Sequence, residues 1–376
     1  MRILTVFGTR PEAIKMIPVV KALERANVDQ IVCVTAQHRQ MLDSVLDFFA
    51  VKPQIDLDIM QPGQTLNGLT KRILEKIDQV LEDVKPDWVL VHGDTTTTMA
   101  TALAAFYRQI PVGHVEAGLR SGDLDAPYPE ELNRIVADSI SRHHYVPTSV
   151  AAEALRREGR KDTGIFITGN TVVDVLLMTV DRLNSEPEMK KEIDARFAML
   201  DPSKRLVLVT GHRRESFGMG FENICWALRD IAQRNDVEIL YPVHLNPNVR
   251  KPVNEILSGL RNVHLVEPVD YPTFVRLMQR SHIILTDSGG IQEEAPSLDK
   301  PVLVMRQVTE RAEAIATGAV RLVGVERASI RDNAVKLLDD SDDWTTMARA
   351  ANPFGDGTAG SRICSILIGK GNQPDI

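Results

Sequence analysis

The sequence predicts an α/β protein made of two Rossmann-like, doubly wound domains, on three observations. Its 376 residues exceed what one hydrophobic core usually organises, at roughly 100 to 200 residues per domain. Short apolar runs recur without polar alternation, the pattern of strands covered on both faces in a parallel sheet. Longer stretches with helical spacing separate them, as parallel crossovers require.

The first strand is ILTVFG at 3–8, and Pro11 then suits the first turn of a helix, PEAIKMIPVVKALER at 11–25. IVCVT (31–35), WVLVHGD (88–94), VGHVE (112–116) and YVP (145–147) continue the series, with TTTTMATALAAF (95–106) a ready helix between two of them. GNTVVDVLLMTVDRL (169–183) and the charged, helix-like PEMKKEIDARFAMLDPSK (187–204) lead to a second series. That series is RLVLVTG (205–211), VEILYP (237–242), VHLVEP (263–268), HIILTD (282–287) and PVLVM (301–305). A boundary at Gly169 is expected, giving domains 1–168 and 169–354. A C-terminal helix within about 355–376, carrying SRICSILIGK, is expected to pack back on the first domain.

Lys plus Arg number 44 and Asp plus Glu 51, a net charge of −7, which disfavours a nucleic-acid binder. Cys33, Cys225 and Cys364 are scattered with no CxxC pair, arguing against a disulfide framework or a zinc knuckle. The first apolar run is too short for a signal peptide and none approaches the ~18 residues of a membrane span, so a cytoplasmic protein is expected. GxGxxG after strand one, GxxxxGK[ST], GxSxG and HExxH are all missing, which weakens redox, P-loop, hydrolase and zincin readings. His143 and His144 sit on an apolar stretch and read as structural; no metal site is expected.

Ligands of open parallel sheets bind beyond the carboxyl ends of the strands, and the residues there are chemical. They are Gly8-Thr9-Arg10-Pro11, His92-Gly93-Asp94, His114-Val115-Glu116, Gly211-His212-Arg213-Arg214 and Asp287-Ser288-Gly289-Gly290. The Ser288-Gly289-Gly290 turn opens a helix, whose N–H groups suit a diphosphate, and Glu294 one turn on can accept ribose hydroxyls. A tight turn with a solvated Glu fits equally well. Arg10, Lys15 and Arg311 are anion-binding candidates or solvated surface cations, and His212 is either structural or part of a cationic loop. Asp94 can cap the following helix, and Glu130 and Glu131 can stabilise the start of theirs. Glu116 ends an apolar run with no evident partner. Burial of such carboxylates is expected to raise their pKa toward neutrality, as proton transfer requires.

GTRPEAIKM (8–16), TAQHRQMLD (35–43), HGDTTTT (92–98), HVEAGLR (114–120) and PEELNR (129–134) together resemble the bacterial, non-hydrolysing UDP-N-acetylglucosamine 2-epimerases. The likeness continues through TGNTVVD, TGHRRESFG, PVHLNPNVR, LTDSGGIQEEAPSL and NPFGDG, over essentially the whole chain. It implies the GT-B architecture, two Rossmann-like domains facing a cleft with UDP held by the second, a homodimer, and no cofactor. By the same resemblance Asp94, Glu116 and Glu130 are the catalytic carboxylates, and His212 stabilises departing UDP. Arg10, Lys15, Phe274, Ser288, Gly289, Gly290, Glu294 and Arg311 match substrate contacts. Gln37, Gln40, Arg72, Glu131, Arg213 and His244 match a second site, at which UDP-N-acetylglucosamine activates bacterial members. The sequence departs from the family pattern at Tyr128, where Trp or Phe is usual, at Asp299 for Gly, and at Ala312 for Pro.

The implied reaction is reversible epimerisation at sugar carbon 2, giving UDP-N-acetylmannosamine for cell-surface polysaccharide precursors. A GT-B glycosyltransferase, a hydrolysing 2-epimerase that releases N-acetylmannosamine, and a UDP-sugar sensor without turnover are the alternatives.

Overall fold

Residues 1–35, 39–61 and 63–369 are described by a computed structural model, with residues 39–41 described in backbone only. The apolar runs form two sheets in which all strands pair in parallel. The first contains β1 (Arg2–Phe7), β2 (Asp29–Val34), β3 (Ile55–Asp56), β4 (Trp88–His92), β5 (Val112–Val115), β6 (His143–Val146) and β7 (Ile165–Ile167), in the order β3-β2-β1-β4-β5-β6-β7. The second contains β8 (Arg205–Thr210), β9 (Val237–Pro242), β10 (Val263–Val266), β11 (Ile283–Thr286), β12 (Val302–Val304) and β13 (Val320–Leu322), in the order β10-β9-β8-β11-β12-β13. Strand order reverses between β1 and β4 in one sheet and between β8 and β11 in the other. Beyond the carboxyl ends of those pairs a doubly wound sheet has room for a ligand.

Three strands absent from the sequence reading, β3, β7 and β13, are edge strands of two or three residues. An edge strand is covered less completely, so it needs no long apolar run. The central strands do: Val207, Leu208 and Val209 of β8 are fully buried, as are Val89, Leu90 and Val91 of β4. Helices close over both sheets, with Ile73 and Ile77 packed in the first core and Phe221, Ile224 and Leu228 in the second.

The chain divides into two units: Met1–Val175 together with the chain from Phe354 on, and Leu176–Pro353. The division therefore falls within the Thr171–Ser185 helix rather than at Gly169. In the first unit the Ala359–Leu367 helix packs on the Arg10–Arg25 helix. A Cβ on Gly360 would come within 2.7 Å of the Pro18 backbone, so only glycine permits that approach. Asp174 accepts from the first amides of the C-terminal helix, Ala359 at 3.2 Å and Gly360 at 2.7 Å. Of the departures, Asp299 adopts φ 55°, where glycine is favoured. Ala312 opens the Ala312–Ala316 helix, a position that tolerates its missing proline, and Tyr128 is exposed. Among the described residues no helix is long and apolar enough to cross a membrane.

Candidate active site

In the first unit the site begins with a capping box. Thr9 caps the Arg10–Arg25 helix, and the Glu12 carboxylate returns to the Gly8 and Thr9 amides at 3.0 and 2.7 Å. Glu12 also accepts from the Thr95 and Thr98 hydroxyls at 2.6 and 3.2 Å, which joins this turn to the one after β4. Burial raises the Glu12 pKa in spite of these bonds. Gly8 is obligatory, because a Cβ there would lie 2.0 Å from Thr35 Oγ1. Arg10 is half-buried at the head of the helix, and Lys15 follows in its second turn.

Lys15 does not simply face solvent: its ammonium pairs with the Glu116 carboxylate, whose Oε2 also accepts from Asn170 Nδ2 at 3.1 Å. Glu116 follows β5 with φ 62°, a left-handed conformation unusual for a long side chain and of the kind that clusters at functional sites. The expectation of a raised pKa fails for Glu116. Burial alone pushes its carboxyl up, but the Lys15 ammonium first, then His92 and Arg134, outweigh burial and hold it well below the usual carboxylate range. Glu116 is therefore a carboxylate in the resting site, and a weak base for as long as Lys15 is paired with it.

Asp94 does not cap the following helix; Thr95 does, accepting from the Thr98 amide, and leaves Asp94 to pair with Arg134. The Asp94 carbonyl accepts from Asn133 Nδ2 at 2.9 Å. The turn before it is fixed by buried His114, whose ring bonds the Gly93 carbonyl at 2.7 Å and Asp138 at 2.6 Å. Glu130 opens the Glu130–Ile140 helix one turn before Arg134, and its Oε2 is buried with no hydrogen-bond partner among the described residues. Glu131, next to it, accepts from the Ser121 and Gly122 amides, both at 3.1 Å, so both its oxygens hold the chain in place.

In the second unit Asp287, fully buried, accepts from the His212 and Arg213 amides at 2.6 and 2.7 Å and so shapes the turn after β8. Tyr241 adds a hydroxyl bond to the Gly211 carbonyl at 2.8 Å. The His212 ring stacks on His244, with centroids 5.2 Å apart and planes at 16°. Burial lowers the His212 pKa; Asp287 opposes that, while His244 and Arg213 add to it. A cavity of about 180 Å³ opens here, lined by Gly211, His212, His244, Phe274, Ser288 and Ile291 among others.

Beside that cavity the Gly289–Glu294 helix starts at Ser288. The Arg311 guanidinium lies against Gly289, where an added Cβ would sit 3.0 Å from Cζ, and it is anchored by Glu293 at 2.8 Å. Glu294 is buried, with the Tyr271 hydroxyl 3.4 Å from its Oε1. Of the second-site candidates, Gln37 lies outside the described residues and Gln40 is described in backbone only. Arg72 reaches the Ile59 carbonyl at 3.2 Å and pairs with Gln64.

The sequence model of the UDP-N-acetylglucosamine 2-epimerase family matches residues 21–368. The chain belongs to that family. It is 57% identical to the UDP-N-acetylglucosamine 2-epimerase of Escherichia coli K12 over 369 residues, 98% of each protein. The solved structure of the Neisseria meningitidis enzyme bound to UDP-GlcNAc is similar with a TM-score of 0.90 at 48% identity, covering 98% of this chain and 100% of that one. The Methanocaldococcus jannaschii enzyme in complex with UDP-GlcNAc and UDP gives 0.80 at 34%, covering 98% and 99%. The two parallel sheets thus form a GT-B-like fold, and the protein is an isomerase that converts UDP-N-acetylglucosamine to UDP-N-acetylmannosamine.

Several residues that shape the strand-end turns of this epimerase's two units carry no local signal in the sequence. Arg134 and Asn170 stand inside motifs already quoted, PEELNR and TGNTVVD, yet only the fold reveals that they hold Asp94 and Glu116. Asp287 was visible as a strand-end acid; its burial beneath the His212 turn was not.

Proposed function

We propose that the epimerisation is non-hydrolysing and runs by elimination and re-addition of UDP. The hydrogen on carbon 2 has no neighbouring carbonyl to delocalise a carbanion, so direct deprotonation faces a prohibitive barrier. If the carbon 2 proton leaves while the bond from the anomeric carbon to UDP oxygen breaks, the C–H electron pair becomes the double bond of a 2-acetamidoglucal. UDP departs with the other pair. Protonation from the opposite face and return of UDP then give the epimer, with no redox change.

The observation that carries this reading is the Glu116 carboxylate, buried yet kept ionised by Lys15 and Asn170. It holds no proton of its own, and release of Lys15 to the substrate raises its basicity. Asp94 and Glu130 are assigned as the other proton-transfer groups, which supports opposite-face chemistry better than one acid would. His212 is assigned to stabilising UDP as it leaves, and Phe274, Ser288, Gly289, Gly290, Glu294 and Arg311 to the nucleotide, with Arg10 and Lys15 as further substrate contacts. The arginine beside the Gly289 turn supports the diphosphate assignment.

The same reading includes activation by a second UDP-N-acetylglucosamine through Gln37, Gln40, Arg72, Arg213 and His244. Glu131 belongs to that set as well, and its carboxylate also holds the Ser121 and Gly122 amides. A homodimer, a cytoplasmic location and use of the product in cell-surface polysaccharide precursors complete it. The exposed Phe106 and Tyr107, on the Thr96–Tyr107 helix of the first unit, support a protein contact.

Incubation of purified protein with UDP-N-acetylglucosamine alone tests the class. UDP-N-acetylmannosamine in equilibrium with substrate is expected; free N-acetylmannosamine accumulating instead, or UDP release that needs an acceptor, overturns it. Heavy oxygen placed in the bridge between sugar and β-phosphate tests the route. Scrambling into non-bridging positions together with solvent deuterium entering carbon 2 is expected, and deuterium entry with neither scrambling nor a trappable glycal refutes elimination.

A further inference from the structure

His92 is the last residue of β4, in register with Val115 of β5, and the residue is only 3% exposed. Neither ring nitrogen has a hydrogen-bond partner among the described residues. Leaving buried polar groups unpaired costs about 1–3 kcal/mol, and a phenylalanine would fill the same space without that cost. The residue therefore calls for a reason beyond packing. Its Nε2 lies 3.9 Å from Glu116 Oε1, just outside hydrogen-bond reach. The other Glu116 oxygen is already engaged by Lys15 and Asn170, so Oε1 is the oxygen open to chemistry.

We propose that His92 is a positioning residue for Glu116: a ring nitrogen accepts a hydrogen bond from the Glu116 carboxyl group after that group has taken a proton from the sugar. The inference rests on the reading of Glu116 as a proton-transfer group. With the single ring proton on Nδ1, Nε2 and the ionised Oε1 are both acceptors before transfer and stand 3.9 Å apart without a bond. After transfer Oε1 is a donor, and a movement of about 1 Å closes the gap to a normal hydrogen bond. The ring is suited to accept. Burial lowers its pKa to about 3, Lys15, His114 and Arg134 push the same way, and Glu116 opposes them, so at neutral pH the imidazole keeps a free lone pair. His92 itself takes no proton. The proton passes from carbon 2 to Glu116 Oε1, the C–H pair becomes the glycal double bond, and UDP leaves with the pair of the broken bond. A bond that forms only as the proton arrives favours the transition state over bound substrate, which raises kcat without tightening KM.

The test uses the full-length enzyme carrying His92→Phe, with His92→Gln as the variant that keeps an acceptor. His92→Phe is expected to melt at or above the wild-type temperature, because an unpaired polar group has been removed. Its kcat should fall about 10- to 100-fold while KM for UDP-N-acetylglucosamine stays within about threefold. The isotope effect with substrate deuterated at carbon 2 should rise as proton transfer becomes more rate-limiting, and His92→Gln should regain most of the lost kcat. In a Glu116→Gln background the same His92→Phe change should cost less than about threefold, because the acid it serves is gone.

A His92→Phe enzyme with kcat within about twofold of wild type overturns the proposal, as does an equal loss with and without Glu116. If His92→Phe does not fold, His92→Leu takes its place under the same criteria. Glu116→Gln alone separates the two levels: near-normal turnover there defeats the assignment of Glu116 and the inference with it. A dead Glu116→Gln beside an unaffected His92→Phe defeats the inference alone.

Discussion

Replacing Lys15 with methionine removes the charge that keeps Glu116 ionised while retaining an apolar stem of similar length. The side chains of the pair are 17% and 9% exposed, so water screens it poorly. Unit charges about 4 Å apart in an effective dielectric of about 20 attract by about 4 kcal/mol. Removing one partner of a buried pair costs about 3–5 kcal/mol, so a loss of that size is expected near neutral pH. Its pH dependence has a definite sign. In the wild type the folded pKa of Glu116 lies below the ordinary value of 4.5, so its contribution is stabilising above that pH and disappears as pH falls through the folded value. Without Lys15, burial dominates and the folded pKa rises above the ordinary value. The variant's penalty then grows as pH climbs and fades below about pH 4.5. Urea denaturation from about pH 4 to 8, followed by Trp88 of β4 with Trp226 and Trp344 changed to phenylalanine, reports on the first unit. Adding Glu116→Gln should recover about half the loss by removing the stranded charge. A loss under about 1 kcal/mol near pH 7, or one unchanged between about pH 4 and 8, would refute the account of Glu116.

Asp94→Asn and Glu130→Gln should each lower kcat by about 10²-fold or more with UDP affinity little changed by calorimetry, since they remove proton transfer and leave the second unit intact. Near-normal turnover in both counts against their roles. Gly289→Ala should displace the Arg311 guanidinium and weaken UDP binding by about tenfold, roughly 1.4 kcal/mol; unaltered affinity would detach Arg311 from the nucleotide. Asp299→Gly should stabilise the second unit by about 1 kcal/mol by relieving a left-handed aspartate, and a lower melting temperature would contradict that. The rate should rise sigmoidally with UDP-N-acetylglucosamine, and His244→Ala should flatten the curve more than it lowers the maximum; hyperbolic kinetics in both proteins would end the activator assignment.

The central strands were legible because a strand covered on both faces must be apolar throughout, as 205–210 and 88–92 are. β3, β7 and β13 were not, since two or three residues at an edge carry no period. The strand-end rule pointed to the turns that the proposed roles use, and the family resemblance added Phe274, for which no local pattern existed. What stayed hidden was pairing at a distance. Lys15 and Glu116 lie 101 residues apart, so the carboxylate with no evident partner acquired one only when β1 and β5 entered the same sheet. The expected direction of its pKa reversed for that reason. The left-handed backbone at Glu116 was equally silent, because nothing in VGHVEAG distinguishes it from an ordinary strand end.

The shared carboxylate of Glu12 also bears on how this chain can be recombined with its relatives. The Thr95 and Thr98 hydroxyls reach Glu12 from 83 and 86 residues away. A crossover point anywhere between the two turns can separate the acid from its hydroxyls, leaving a buried charge with only the Gly8 and Thr9 amides. Chimeras should therefore inherit 8–16 and 92–98 from one parent, or from parents that both carry the acid and both threonines. Libraries that keep the two segments together should yield more folded enzyme than those that break between them.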